Sequence, residues 1–424
     1  MARSSPLAAI AGALPGRSDL AWMGYVGVAL FFYLLPSNSY VAAVPVLQEQ
    51  WSLSNIQTGI IYSAFVAGYA LSALAVIPLT DRLNSKSVLY GSGILSIVSY
   101  IAFPLFADGL ITAIVIRAVQ GIGLVGVYMP SLRIIAERFP RKGRGLASGF
   151  YVTVGYGGFS LSLLFTGALM NFVDWDTAYL ILGIIAIVCA PVAYALLRKH
   201  EAAPATRSSG RLDLKVFKHR TVRFMVAGYT IHTLEVFTIQ IWIPLFMAAV
   251  LISRGYSTVS AAAVASAMAG LAFTIAAVGP LFGGILSDRL GRAKTLAGIA
   301  AIAAACGWGF GWLGDAPWAL IVFVAVIYGL VASADSAIFS AALIDTLPRH
   351  SIGSALAALS FLGFMGGVVG PIALGGIRDF VPESISWPVS FSVIALLTTL
   401  AVFLFTWLHW LEKGKPLPIH SESD

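Results

Sequence analysis

Charge is what this sequence has least of. Asp, Glu, Lys and Arg together make up 11% of its 424 residues, against about 25% in soluble domains. So few charges cannot coat the surface of a water-soluble protein of this length. A secreted, disordered, collagenous or nucleic-acid-binding chain is excluded on the same ground. Cysteine is nearly missing too. Cys189 and Cys306 both lie in apolar runs; they make neither a disulfide framework nor a metal set and read as small core hydrophobes. Nucleophile-and-base sets, phosphate loops and metal-ligand spacings are missing, so the chain does not read as an enzyme and no cofactor or metal is expected. There is no short apolar region followed by a cleavage site, so the first long apolar stretch is expected to stay as a helix.

What the sequence does have is hydrophobic residues, 58% of the chain. A helix needs about 20 apolar residues to cross a bilayer. Runs of that length fall near 20–41, 56–79, 87–107, 109–132, 146–170, 177–197, 222–250, 261–286, 294–313, 317–343, 354–376 and 387–410. Backbone polar groups inside hydrocarbon must be satisfied within their own segment, so these are helices. The expected fold class is an all-α membrane protein with twelve spans and the lipid bilayer as its surroundings.

The one long polar segment, 198–221, divides six spans from six. It predicts an N-terminal bundle over 1–197, a cytoplasmic linker with a short amphipathic helix near Leu212–Phe217, and a C-terminal bundle over 222–424. The halves repeat. Thr80-Asp81-Arg82-Leu83 after span 2 matches Ser287-Asp288-Arg289-Leu290 after span 8, 207 positions later. Phe139-Pro140-Arg141 matches Leu347-Pro348-Arg349 at an offset of 208. A site near the midplane between two such repeats is the expected design.

Basic residues set the orientation. With both termini in the cytoplasm, 22 of the 26 Lys and Arg fall in cytoplasmic segments, and outer loops keep only Arg254 and Arg378. The net charge of +7 therefore records topology and does not point to an acidic partner. Arg117 and Arg133 in span 4, Glu235 in span 7 and Asp335 in span 10 are the four charges left inside helices.

At Gly284-Ile285-Leu286-Ser287-Asp288-Arg289-Leu290-Gly291-Arg292 the chain resembles the major facilitator superfamily of secondary transporters, and the resemblance extends over essentially the whole length. It implies two six-helix bundles and alternating access. It also implies a conformational latch at Gly284, Asp288, Arg289, Gly291 and Arg292, with Asp81 and Arg82 in the first half. The first-half copy departs from the pattern, with Ile77 at the glycine position and Asn84-Ser85 in place of Gly-Arg. Topology determination alone is the other reading of these arginines. Arg117-Ala118-Val119-Gln120-Gly121-Ile122-Gly123 resembles a second family signature, whose arginine the resemblance ties to proton or substrate coupling; an interhelical structural hydrogen bond is the alternative. Arg133, four residues before Glu137, reads as a locally paired, snorkelling arginine. Gly366, Gly370-Pro371 and Gly375-Gly376 in span 11, and Gly279-Pro280 with Gly283-Gly284 in span 8, are close-packing and bending elements. Span 5 reads Val154-Gly155-Tyr156-Gly157-Gly158-Phe159 and lacks the proline of the family's antiporter signature.

Two acids lie deep in the spans. A lone carboxyl group in low dielectric is disfavoured as an anion, so it can bind and release a proton under physiological gradients. Histidine titrates in the same range. His232 and Glu235 share a face of span 7 and are the proposed proton-coupling pair, with Asp335 as a further candidate; a satisfied structural pair is the alternative. The resemblance implies that spans 1, 4, 7 and 10 line the cavity. Candidate solute contacts are Asn38 and Tyr40 in the polar cluster after Pro36, Arg117, Tyr151 and Tyr156 in span 5, and Gln240 and Trp242 in span 7.

The leading expectation is a proton-coupled symporter of a small polar solute, an anion if Arg117 attracts it, acting as a monomer in a bacterial inner membrane. The alternative is a proton-driven exporter of amphipathic compounds from an aromatic cavity. A non-transporting membrane sensor is the third reading, supported only by the degenerate first-half signature.

Overall fold

A computed structural model describes residues 17–82, 85–139, 141–188, 192 and 214–412; side chains at 17, 74–82, 85–86, 133, 136–137, 141–146, 148–149, 214, 349–350 and 412 lie outside that description. The elements are helices α1 (Arg17–Leu34), α2 (Ser39–Gln50), α3 (Asn55–Arg82), α4 (Ser85–Phe106), α5 (Leu110–Arg138), α6 (Arg141–Leu169) and α7 (Trp175–Ala186), then a 3-10 turn at Leu214–Lys218. Helices α8 (Arg220–Ser253), α9 (Thr258–Ala276), α10 (Gly279–Leu290), α11 (Arg292–Phe310), α12 (Trp318–Ala334), α13 (Ser336–Thr346), α14 (Arg349–Phe380) and α15 (Glu383–Glu412) follow. No strand occurs among the described residues. Eleven helical stretches are long and apolar enough to cross a membrane, and Trp175–Ala186 is a shorter apolar twelfth. The chain is a multi-pass membrane protein of twelve spans.

Three spans are broken. Span 1 is α1 and α2, interrupted at residues 35–38 beside Pro36, which has no N–H to give a helix. Span 8 is α9 and α10, with Gly279-Pro280 opening α10, where a proline costs no hydrogen bond. Span 10 is α12 and α13, divided at Asp335. Backbone irregularity at membrane depth is tolerated where it is buried in protein or lines a cavity, and all three breaks lie beside the cavity described below.

The 3-10 turn falls where the short amphipathic helix is expected. The linker over 198–213, Cys189 and both termini lie outside the described residues, as do the side chains of Asp81, Arg82, Arg133 and Glu137.

The two halves meet most closely at one end of the bundle, where α3 crosses α14 and α6 crosses α9. A β-carbon added to Gly59 would lie 2.8 Å from the carbonyl carbon of Pro371, and one added to Gly375 would lie 2.7 Å from that of Asn55. Lipid tails are as apolar as leucine, so helices in a bilayer are held by dispersion and hydrogen bonding at short range, which small residues permit. This closed end is called the Asn55 end and the opposite one the Arg292 end.

Candidate transport cavity between the two halves

A cavity of about 380 Å³ lies between the halves. The first half lines it with Asn38, Tyr62, Phe65, Tyr69, Tyr128, Tyr156 and Phe159. The second half contributes Tyr229, His232, Phe237, Gln240, Ser336 and Phe364. Among the described residues its wall carries no Lys, Arg, Asp or Glu. Tyr62, Phe65 and Tyr69 stand at i, i+3 and i+7 on α3 and so share one helix face. That spacing marks an aromatic stripe on one face of span 2, a signal distinct from the polar clusters of spans 1, 5 and 7.

The break in span 1 is tied into the wall. The Asn38 backbone N–H donates to Ser162 Oγ at 2.9 Å, and its side-chain Nδ2 donates to the Phe159 carbonyl at 3.0 Å. Tyr62 O–H donates to Gln240 Oε1 at 3.1 Å, across the interface between halves.

A second polar chain also crosses that interface. The Tyr156 hydroxyl on α6 lies 3.1 Å from Ser336 Oγ on α13. Ser336 Oγ lies 3.2 Å from His232 Nε2 on α8. His232 Nδ1 in turn lies 2.8 Å from Asp335 Oδ1, at an ion-pair distance without the alignment of a hydrogen bond. Tyr229 stacks on the histidine ring, centroid to centroid 5.4 Å. His232 and Asp335 are both buried, and the imidazole reaches the cavity through its Nε2 side.

The predicted partnership of His232 with Glu235 takes a different form. Three residues along a helix leave side chains about 60° apart, and here that angle separates their neighbours. His232 faces α13 and Asp335. Glu235 faces α12, where its Oε1 accepts from the Tyr328 hydroxyl at 2.9 Å, off the cavity wall. Asp335, the third candidate, is the acid that meets the histidine.

The structure divides the other candidate contacts. Asn38, Tyr156 and Gln240 line the cavity; Tyr40, Arg117, Tyr151 and Trp242 do not. Arg117 is fully buried inside the first half. Its Nη1 donates to the Ser37 carbonyl at 3.0 Å and to Gln120 Oε1 at 2.9 Å. Its guanidinium carbon lies 4.5 Å from the Phe65 ring centroid and 5.2 Å from that of Tyr40. A guanidinium is less strongly hydrated than an ammonium and stacks on aromatic faces, which explains how it is buried with no carboxylate beside it among the described residues. Tyr40 O–H donates to the Thr58 carbonyl at 3.1 Å. Tyr151 packs behind Tyr128 with ring centroids 5.2 Å apart.

The Asn55 end is closed by residues that hydropathy treats as loop. Asp379 Oδ1 accepts from the Asn55 backbone N–H at 3.0 Å and from Asn55 Nδ2 at 2.8 Å, and its Oδ2 accepts from the Ile56 N–H at 2.8 Å. Arg378 Nη1 donates to Asn55 Oδ1 at 3.0 Å, and the same guanidinium lies 3.6 Å from the Trp387 ring centroid. Trp242 Nε1 donates to the Pro371 carbonyl at 3.2 Å.

At the other end Arg292 binds within its own half. It reaches Asp288 Oδ1 and Ser287 Oγ, both at 2.6 Å, and Asp345 Oδ2 at 3.0 Å. Gly291 joins α10 to α11 at φ +88, where glycine alone is unstrained. A β-carbon on Gly284 would meet nothing within 4 Å.

A family model described as the Major Facilitator Superfamily matches residues 26–371 and 260–424. Among curated relatives, the "Probable galactarate/D-glucarate transporter GudP" of Bacillus subtilis is 24% identical over 370 residues, 78% of this chain and 79% of the relative. The "Gallate transporter" of Pseudomonas putida is 28% identical over 210 residues, 46% of this chain and 44% of the relative. Among solved structures, a bacterial homologue of the human lysosomal transporter Spinster, inward-facing and unoccupied, aligns with TM-score 0.72 at 18% identity, covering 94% of this chain and 99% of that one. That last likeness is one of fold.

Proposed function

The chain belongs to the major facilitator superfamily and is a membrane transporter, and from that membership we propose that it carries a small organic anion together with protons by alternating access. The observation that carries this is the polar chain from Tyr156 through Ser336 and His232 to Asp335. It joins the two halves to a His–Asp pair that reaches the cavity wall through His232. Protonation of that pair changes the hydrogen bonds His232 can offer the cavity, and this couples proton binding to solute binding. Tyr229 and Glu235 on α8, Asp335 and Ser336 at the α12–α13 junction and Tyr156 on α6 are the titratable and polar neighbours that set its behaviour. The names of the relatives support an organic anion: one is named for sugar diacids, the other for an aromatic acid.

The excess of Lys and Arg in the short segments at the Arg292 end supports that end as cytoplasmic, in a bacterial inner membrane. The closed Asn55 end then faces outward, and the cavity is loaded or emptied from the cytoplasm.

The test is uptake of D-glucarate and gallate into liposomes, with and without an inside-alkaline pH gradient. Gradient-driven accumulation of at least one of the two is expected. His232→Ala and Asp335→Asn should keep gradient-free exchange within about tenfold, as for loss of one proton-transfer group, and lose the gradient response. Gradient-insensitive uptake by the unmodified protein, or an intact gradient response in both variants, refutes the coupling. The aromatic walls favour a second reading, proton-driven export of amphipathic compounds. It predicts export of a dye such as ethidium from loaded vesicles, with both acids inert.

A further inference from the structure

We infer that the transported anion is a planar aromatic monocarboxylate whose carboxylate is met by His232; this rests on the transport reading above and narrows its substrate. Three observations on the cavity lead there.

The first is the material of the walls. Tyr69 on α3 and Phe364 on α14 approach to 4.9 Å between ring centroids, from opposite halves. Phe237 lies 5.7 Å from Phe364. Tyr229 lies nearly parallel to the His232 ring, at 25°. A flat ring entering the cavity beside these contacting pairs meets aromatic faces and edges contributed by both halves, the arrangement in which aromatic pairs gain beyond simple burial. Because the rings come from both halves, the same ligand is held by each of the parts that must move around it.

The second is the state of the polar groups. Asn38 already gives its backbone and side-chain N–H groups to Ser162 and Phe159. Gln240 accepts from Tyr62. Ser336 lies between Tyr156 and His232. A polyhydroxylated sugar acid would surrender water from each hydroxyl and would have to break these bonds or share Gln240 Nε2 and the hydroxyls of the wall tyrosines among several groups, and buried hydroxyls without partners are costly. An aromatic acid brings only one group that must be paired.

The third is charge. No arginine or lysine lies on the described wall. Arg117 is behind it, beneath the rings of Phe65 and Tyr40. His232 is thus the one wall residue able to become a cation, and Asp335 already takes part of that charge through Nδ1. A single carboxylate can replace Ser336 at Nε2–H; a dianion would leave its second charge unpaired in an apolar chamber, which is disfavoured. The volume of about 380 Å³ is at the small end of the range for ligand pockets and suits one ring.

The experiment uses the full-length protein in liposomes, with benzoate, 4-hydroxybenzoate, phthalate, cyclohexanecarboxylate, D-gluconate and D-glucuronate as probes of uptake and of mutual competition. Benzoate and 4-hydroxybenzoate are expected to compete at about tenfold lower concentration than cyclohexanecarboxylate, which matches benzoate in charge but is not flat, and than phthalate, which adds a charge. Phe364→Leu and Tyr229→Leu should each shrink the preference for flat over non-flat acids by about fivefold. Tyr229→Phe, which keeps the ring, should retain that preference, so a folding defect is distinguished from loss of the ring. Uptake of gluconate or glucuronate with the aromatic acids inert overturns the inference and leaves organic-anion transport standing. Equal handling of benzoate and cyclohexanecarboxylate overturns it as well. Uptake of none of the six overturns this inference, and failure of D-glucarate and gallate as well brings down the reading it rests on.

Discussion

Asp379 caps the first turn of the helix that begins at Asn55, across 324 residues of sequence. Both carboxylate oxygens accept backbone N–H groups, from Asn55 and Ile56. The first N–H groups of a helix have no partner within it and carry the positive end of its dipole. Helix capping is ordinarily local; here the cap comes from the other half of the molecule, so the bond exists only while the Asn55 end is closed.

Asp379→Ala should therefore favour opening of that end. Loss of a cap costs about 1 kcal/mol, roughly fivefold in a two-state population. Spin labels at Glu49 and Glu383, read by pulsed dipolar spectroscopy, should gain a longer-distance component. An unchanged distance distribution would show that Asp379 does not hold the end closed.

Gly59→Leu should have the same direction and a larger effect, because its side chain would run into the Pro371 backbone. Overpacking of this kind costs about 1–3 kcal/mol, which is from about fivefold to about a hundredfold in population. Transport should fall by a similar factor while the purified protein stays monodisperse. Normal transport rates with the label distances unshifted would rule the close crossing out as a requirement of the cycle.

Arg117 lies off the cavity wall, so its loss should register in stability before it registers in solute affinity. Arg117→Gln leaves the Ser37 carbonyl without its donor and Gln120 Oε1 with only the 3.5 Å contact from the Tyr179 hydroxyl, and an unsatisfied buried group costs about 1–3 kcal/mol. The thermal unfolding midpoint is expected to drop by several degrees, with the KM of the surviving activity within about twofold of the original. A large rise in KM at an unaltered midpoint would place Arg117 in contact with the solute.

Tyr156 and Ser336 should behave as a coupled pair across the interface. Tyr156→Phe and Ser336→Ala each remove one side of a 3.1 Å contact, and the double variant should cost less than the two effects summed. A coupling of about 1 kcal/mol in the exchange rate is expected for a single hydrogen bond. Strict additivity would mean the contact does not persist during exchange.

Gly291→Ala tests the turn between α10 and α11. At φ +88 and ψ 152 a β-carbon is strained by about 1–3 kcal/mol. Lower expression and a lower unfolding midpoint are expected, and Gly284→Ala, with open space around it, serves as the tolerant control.

Much of the molecule was legible before any coordinate. Hydropathy located all twelve spans because each must satisfy its backbone within its own length. The two landmarks that recur 207 and 208 residues apart exposed the repeat, and the run from Gly284 to Arg292 pointed to the family. Of the seven candidate solute contacts, Asn38, Tyr156 and Gln240 stand on the cavity wall, and polarity inside an apolar helix is the signal they share. Those signals are local: they depend on composition, spacing or a short run of residues.

Partnership was the part that had to wait for the tertiary structure. Arg117 looks like a cavity charge in sequence, yet the rotation of α5 turns it into the first half, against Phe65 and Tyr40. His232 and Glu235 share a helix face, yet neighbouring helices divide them between Asp335 and Tyr328. Asn55 and Asp379 carry no mark of belonging together. Where the chain crosses the bilayer is written in its local hydropathy, because hydrocarbon acts on each segment separately. Only the packing of one helix against another decided which buried groups meet, because that depends on tilt, rotation and the breaks at Pro36 and Asp335.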